Sequence, residues 1–257
     1  MTIYHQGAAR ATRELPVSKA EHEARVQLAA CYRIFNHLGW TEMIFNHITL
    51  RVPGPEKLFL INPFGLHYSE STASSLVLID IDGNPLRESK WPVNRAGFVI
   101  HSAIHGSVEN AHCVMHTHTT TGMAVACQKD GLSPTNFYAA QLHGRVAYHD
   151  FEGITVDEGE KERMLASIGG KPAVILRNHG LLAWGPSVPE AFMMLWTLQR
   201  ACDVQIASSS AGPLNPIRSD VFAQTVRESG PGEKRACEDV FAAMQRLVDA
   251  KDPSYRE

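Results

Sequence analysis

Apolar residues recur at helical spacing near the start of the chain, where Leu28, Cys31, Phe35 and Leu38 share one face. Ser18-Lys19-Ala20-Glu21 stands before them with capping-box spacing, so Ser18 and Glu21 are expected to satisfy each other's backbone donors, and Gly39 can end the helix. From residue 44 to residue 81 the pattern changes to that of strands. Three β-rich pieces, 48–52, 58–61 and 76–80, alternate with turns until Asp82-Gly83-Asn84-Pro85 breaks the run. This predicts a meander leading into a helix from 95 to about 107, with Asn94 as its N-cap. The apolar run from Ala111 to Met115 predicts a buried strand, and a helix is expected from near Thr120. Ala173-Val174-Ile175-Leu176 forms another short strand. Ser187-Val188-Pro189-Glu190 repeats the capping-box spacing and opens a long helix through Met194, Leu198 and Cys202.

Strands with helices before and after them predict an α/β fold of three layers, α/β/α. Residues 1–17 carry a proline and polar side chains without periodicity and read as an arm. Residues 18–210 read as one domain. The remainder, 211–257, reads as a helical tail split at Gly230-Pro231-Gly232 that packs on the domain or on a neighbouring subunit.

Composition narrows the partners. At 257 residues, 44% apolar and 20% charged, the chain suits an ordinary globular domain. A formal charge of -3 with no basic block gives no electrostatic case for nucleic acid. No apolar stretch approaches the roughly 20 residues that span a bilayer. Met1-Thr2-Ile3-Tyr4-His5-Gln6 also lacks a signal peptide's apolar core, so a cytoplasmic location without a membrane partner is expected. The five cysteines are scattered, which suits free thiols in a reducing compartment. Histidine is the anomaly, with 13 copies that only position can sort.

His116 and His118 close the apolar strand. Residues i and i+2 of a strand face the same way, so two imidazoles there can grip one cation. His179, within Arg177-Asn178-His179-Gly180, follows the strand 173–176 and also stands at a strand end, where sites are commonly built. Three protein ligands leave one position of a divalent ion open to substrate, which is the mark of a catalytic site. The same pair could be two satisfied polar residues, and spacing alone does not choose.

The stretch from Asn94 to Gly185 resembles the class II aldolase/adducin family. His116-Thr117-His118, Ala96-Gly97-Phe98-Val99-Ile100-His101, Val146-Ala147-Tyr148-His149-Asp150 and Asn178-His179-Gly180 carry the resemblance, closest to the family's adducin-like branch, and it extends from about residue 20 to about 210. It implies a largely antiparallel central sheet and a homotetramer with sites between neighbouring subunits. It further implies a divalent metal on His116, His118 and His179, zinc first, with manganese or ferrous iron as alternatives. His101 is placed in the site by the same resemblance.

The departures from the family pattern are as informative. In the family's sugar-phosphate aldolases, an acid/base glutamate lies four residues before the histidine that matches His101; here that residue is Gly97. The turns that cradle phosphate are matched by Phe45-Asn46-His47, Pro63-Phe64-Gly65 and Arg95-Ala96, where bulk replaces small donors. The expected substrate is therefore a small non-phosphorylated hydroxy- or oxo-carboxylate, cleaved by aldol chemistry or decarboxylated. Arg95 is a candidate carboxylate clamp, because a guanidinium matches two oxygens, or else a solvated residue in a first helical turn. His101 and His105 share a helix face, which makes them either site imidazoles near the metal or a rival ligand pair. His47, Tyr138 and His143 are further candidates for the acid/base work, each also explicable by packing. Two other functions stay open: an adducin-like non-catalytic binding module and a non-haem iron oxygenase.

Overall fold

The sheet grows from the predicted meander. Its strands are β1 (Ile48–Arg51), β2 (Phe59–Ile61), β3 (Val77–Ile79), β4 (Cys113–Thr117), β5 (Val146–His149), β6 (Ala173–Leu176) and β7 (Gly180–Gly185). In this computed structural model the described residues are 16–153, 159–229 and 234–257, with the side chains of Arg95 and Ala96 excepted. Residues 1–15 of the expected arm and the Gly230-Pro231-Gly232 break lie outside them. The strand order is β3-β2-β1-β4-β7-β6-β5. Every pairing is antiparallel except β5 with β6, so the sheet is mixed. A parallel pair needs a crossover, and α5 (Glu160–Ile168) lies on that connection.

The two faces of the sheet bury different side chains because neighbouring strand residues point oppositely. Met115, Ile175, Leu181 and Ala183 face α1 (Lys19–Leu38) and α6 (Val188–Ser209), where Leu28, Phe35, Phe192 and Leu195 complete the larger core. Each such fully buried large side chain contributes about 2 kcal/mol. Val114, Val174, Leu182 and Trp184 face the other way, onto Ile100 and Ile104 of α2 (Arg95–Ser107) and Met164 and Ile168 of α5. Helices cover both faces, which makes the three layers. Beyond α7 (Ser219–Glu228), α8 (Lys234–Lys251) lies on α1 and α6, with the Phe241 ring 5.9 Å from Phe192.

Both predicted capping boxes form only in part. Ser18 accepts from the Glu21 amide at 3.1 Å, but the Glu21 carboxylate turns to the guanidiniums of Arg25 and Arg87. A carboxylate this buried gains more from two cations than from one amide. Ser187 accepts from the Glu190 amide, and its hydroxyl donates to the Glu190 carboxylate at 2.6 Å. No helix among the described residues is long and apolar enough to cross a membrane.

Candidate metal centre

β4 carries His116 on the same face as Val114, toward α2, and His118 follows one residue beyond the strand end. His179 comes from the three-residue loop that joins β6 to β7, where Leu176 pairs with Gly180. Asn178 turns that loop in the left-handed region, at φ 58°, a conformation asparagine tolerates better than most residues. Its amide donates to the Ala126 carbonyl of α3 (Thr120–Ala126), and the His179 amide donates to Leu176. Gly180 permits the close approach. A Cβ there would run into the Thr117 carbonyl and stand 3.0 Å from His118 and 3.3 Å from His116.

The three rings gather with centroids 4.5 Å apart for His116 and His118, 4.9 Å for His116 and His179, and 4.8 Å for His118 and His179. One nitrogen from each lies within 4.8 Å of the others. A carbonyl only accepts, so Nδ1 of His116, 2.9 Å from the Leu181 oxygen, carries the proton and leaves Nε2 bare. That Nε2 stands 2.7 Å from Nε2 of His118. Tetrahedral zinc ligands sit about 3.4 Å apart, so a small spreading of the pair admits an ion.

Burial, followed by the charges His118 and His179 would carry, holds His116 well below its ordinary pKa. Burial lowers His118 despite the nearby Glu42 carboxylate, and lowers His179 to about 4. Three neutral imidazoles, one oriented by a carbonyl, are a donor set that fits a borderline divalent ion.

His101 stands one ring behind the trio. It is fully buried, 4.2 Å from the His47 ring, which in turn lies 5.9 Å from His116. The proton positions follow from Ala111 outward. Its carbonyl accepts from Nδ1 of His105 at 2.6 Å, so Nε2 of His105 is bare and accepts from the Thr49 hydroxyl at 2.7 Å. The Thr49 oxygen then accepts from Nδ1 of His101, also at 2.7 Å, which leaves Nε2 of His101 bare. Burial keeps both rings neutral, with His105 lowered to about 3 and His101 well below its ordinary value. Packed 4.4 Å from the Phe59 ring and bonded at both nitrogens, His105 is an orienting residue rather than a rival ligand.

The other candidates pack on other elements or lie outside the described residues. The Arg95 side chain lies outside the described residues; its backbone opens α2 behind Asn94, which accepts from the Gly97 amide. Tyr138, on α4 (Phe137–Gln141), packs 5.6 Å from Trp196 with the Arg200 guanidinium 5.7 Å over its ring, and among the described residues no imidazole is a ring neighbour. His143 packs against Phe222 of α7 instead.

Three contributors were not legible beforehand: Thr49, Glu42 and Gln199. Gln199 accepts from Thr119 at 2.5 Å and donates to Thr121 and Asp203 at 2.7 Å, pinning the turn after His118 to α6. The polar cluster after His118 was a signal, but its partner lies 80 residues on.

The stretches that match phosphate-binding turns do converge. The Phe45 and Phe64 rings are 6.3 Å apart, Asn94 donates to the Phe45 carbonyl at 3.5 Å, and His47 lies against Gly97.

A three-layer α/β/α domain with three imidazoles at one end of its sheet places this chain among the class II aldolase-like proteins. Residues 26–206 match the family described as Class II Aldolase and Adducin N-terminal domain, and the chain belongs to that family. The crystal structure of an aldolase II superfamily protein from Pseudomonas syringae superposes with a TM-score of 0.89 at 44% identity, covering 94% of this chain and 98% of that one. The structure of an L-fuculose 1-phosphate aldolase from Glaciozyma antarctica gives a TM-score of 0.81 at 29% identity, over 96% and 98%. Alpha-adducin of Rattus norvegicus is 40% identical over 256 residues, 93% of this chain but 35% of that protein.

Proposed function

We propose that the protein is a metal-dependent carbon–carbon lyase acting on a small non-phosphorylated hydroxy- or oxo-carboxylate, by aldol cleavage or decarboxylation. One observation carries this reading: His116, His118 and His179 present neutral nitrogens to one point, with His116 oriented by the Leu181 carbonyl. A divalent ion held there, zinc first among candidates, would supply Lewis-acid stabilisation of negative charge on a substrate oxygen. The chain supplies the rest of the setting. His118 and His179 are half-buried and leave the centre approachable, while His116 and His101 exclude water behind it.

The Glaciozyma protein's name refers to a phosphorylated sugar. Here Phe45 and Phe64 in ring contact, and His47 on Gly97, take the place of the small residues and open amides an anion cradle needs. This supports a substrate without phosphate. Exposed Met43, Phe45, Phe137 and Phe151 support self-association, read here as a homotetramer.

The identity to alpha-adducin favours a second reading, a non-catalytic binding module. Three converging imidazoles weigh against it, because a scaffold has no physical use for them. Metal analysis of protein purified without added ions, joined to a panel of hydroxy- and oxo-acids assayed for aldehyde or carbon dioxide release, separates the readings. Stoichiometric zinc with turnover supports the lyase. No metal supports the binding module, and iron with oxygen uptake supports an oxygenase.

A further inference from the structure

A cavity of about 370 Å³ lies at the outer edge of the sheet, between the start of α1, strand β3 and residues 87–89. It is three strands away from β4, roughly 14 Å across the sheet, and shares no residue with the three-histidine centre. Arg25 lines it while buried, at 7% exposure. Its Nε donates to Glu21 at 2.8 Å, and its Nη1 donates to the carbonyls of Leu76 and Ala73 at 2.7 and 3.1 Å. Nη2 makes no bond among the described residues and is not sealed from solvent, so two N–H donors of a buried guanidinium remain for the cavity. Among the described residues Glu21 is the one carboxylate that Arg25 pairs with, and it is shared with Arg87.

The strand edge adds a donor. Leu86 donates to the Leu78 carbonyl at 2.9 Å, but no bond returns from the Leu78 amide, because the pairing ends at Ile79 and Pro85. The N–H and C=O of one strand residue point the same way, so this amide also turns outward, away from β2. The Leu76 carbonyl that holds Nη1 lies two residues before it on the same edge, which brings both open donors to one place. Val17, Leu76 and Leu78 belong to the apolar part of the lining, and the exposed Glu88 and Glu257 belong to its rim.

We propose that this cavity is a second ligand site, which takes a small organic carboxylate with an apolar body, its oxygens held by Nη2 of Arg25 and the Leu78 amide. Both groups only donate, and a carboxylate only accepts. The inference does not depend on the lyase reading, since the metal centre takes no part in it.

The test uses the full chain, with benzoate as the probe and benzamide as its uncharged counterpart. In a titration followed by nuclear magnetic resonance, benzoate should move the Leu78 amide signal, and benzamide should bind at least about tenfold more weakly. His22→Trp, at an exposed helix position on the cavity wall, should fill the space and lower benzoate affinity by at least about tenfold. Arg25→Lys keeps the charge but loses Nη2, and should weaken benzoate to a similar degree. Replacing His116 and His118 by alanine together removes the metal centre as a rival carboxylate site and should leave the Leu78 response intact. A Leu78 signal that benzoate does not move, equal affinity for benzamide, unchanged affinity in His22→Trp, or loss of the Leu78 response without the two histidines each overturns the proposal, and none of them bears on the lyase reading. Should Arg25→Lys not fold, His22→Trp and the Leu78 signal decide alone.

Discussion

Nδ1 of His116 lies 2.9 Å from the carbonyl oxygen of Leu181, on the neighbouring strand β7, and donates its proton to it. A strand pairing thus chooses which nitrogen of the histidine faces His118 and His179. Replacing His116 and His118 by alanine together should abolish zinc uptake, and His118→Ala alone should weaken it by at least about 100-fold. Equilibrium dialysis with metal analysis checks both, and circular dichroism checks that the fold survives. Retention of zinc by the double variant would sink the ligand assignment.

Gly180→Ala should cost about 1–3 kcal/mol and impair zinc uptake, since its Cβ would press on the Thr117 carbonyl and both paired histidines. Gly106→Ala makes the control. It lies in α2, where a Cβ meets nothing within 4 Å, so a gain of about 0.5–1 kcal/mol is expected from helix propensity. Thermal melts of the two variants should move in opposite directions.

Thr49→Val keeps the shape of the side chain but removes the hydroxyl that links His101 to His105. It leaves two buried nitrogens unpaired, and a loss of about 1–3 kcal/mol is expected. Thr49→Ser should restore most of it. A denaturation midpoint for Thr49→Val equal to wild type would mean that water takes over the link.

Glu21→Gln should be among the most damaging changes far from the centre, at about 3–5 kcal/mol. It strips the buried Arg25 of its carboxylate partner, though Arg25 keeps its bonds to the carbonyls of Ala73 and Leu76. Glu23→Gln, which breaks only the exposed pair with Lys19, should be near neutral. Urea unfolding of the two variants measures the contrast.

Burial holds His47 at about 4 and His105 at about 3, below the ordinary 6.5, and lowers His101 in the same direction. As pH falls below 6.5 the unfolded chain takes up these protons first, so stability is full above that pH and declines steadily below it. Glu21 adds a loss only below its ordinary 4.5. Burial raises this carboxyl, but Arg87 and Arg25 outweigh burial and hold it lower when folded. Denaturation midpoints should therefore already fall between pH 7 and pH 5, and a flat profile there would contradict neutral burial of the imidazoles.

Local pattern was enough to locate much of the scaffold. The helical stripe through Leu28 and Phe35, the meander strands, the Asn94 cap and the start of α3 all depend on neighbours within a few residues, and they stand where the pattern places them. The parallel place of β5 and the strand β7 were not legible, because pairing across the sheet is decided by distant partners. The same division runs through the candidate site. The chain by itself determined that His116 and His118 share a strand face and that Gly97 bears no carboxylate, since residue type and a period of two suffice for both. Only the tertiary structure decided that His179 meets the pair, that Leu181 orients His116, and that His47 fills the space Gly97 leaves. Those relationships join residues 50 or more positions apart, and only the packing of strands and helices brings them within reach.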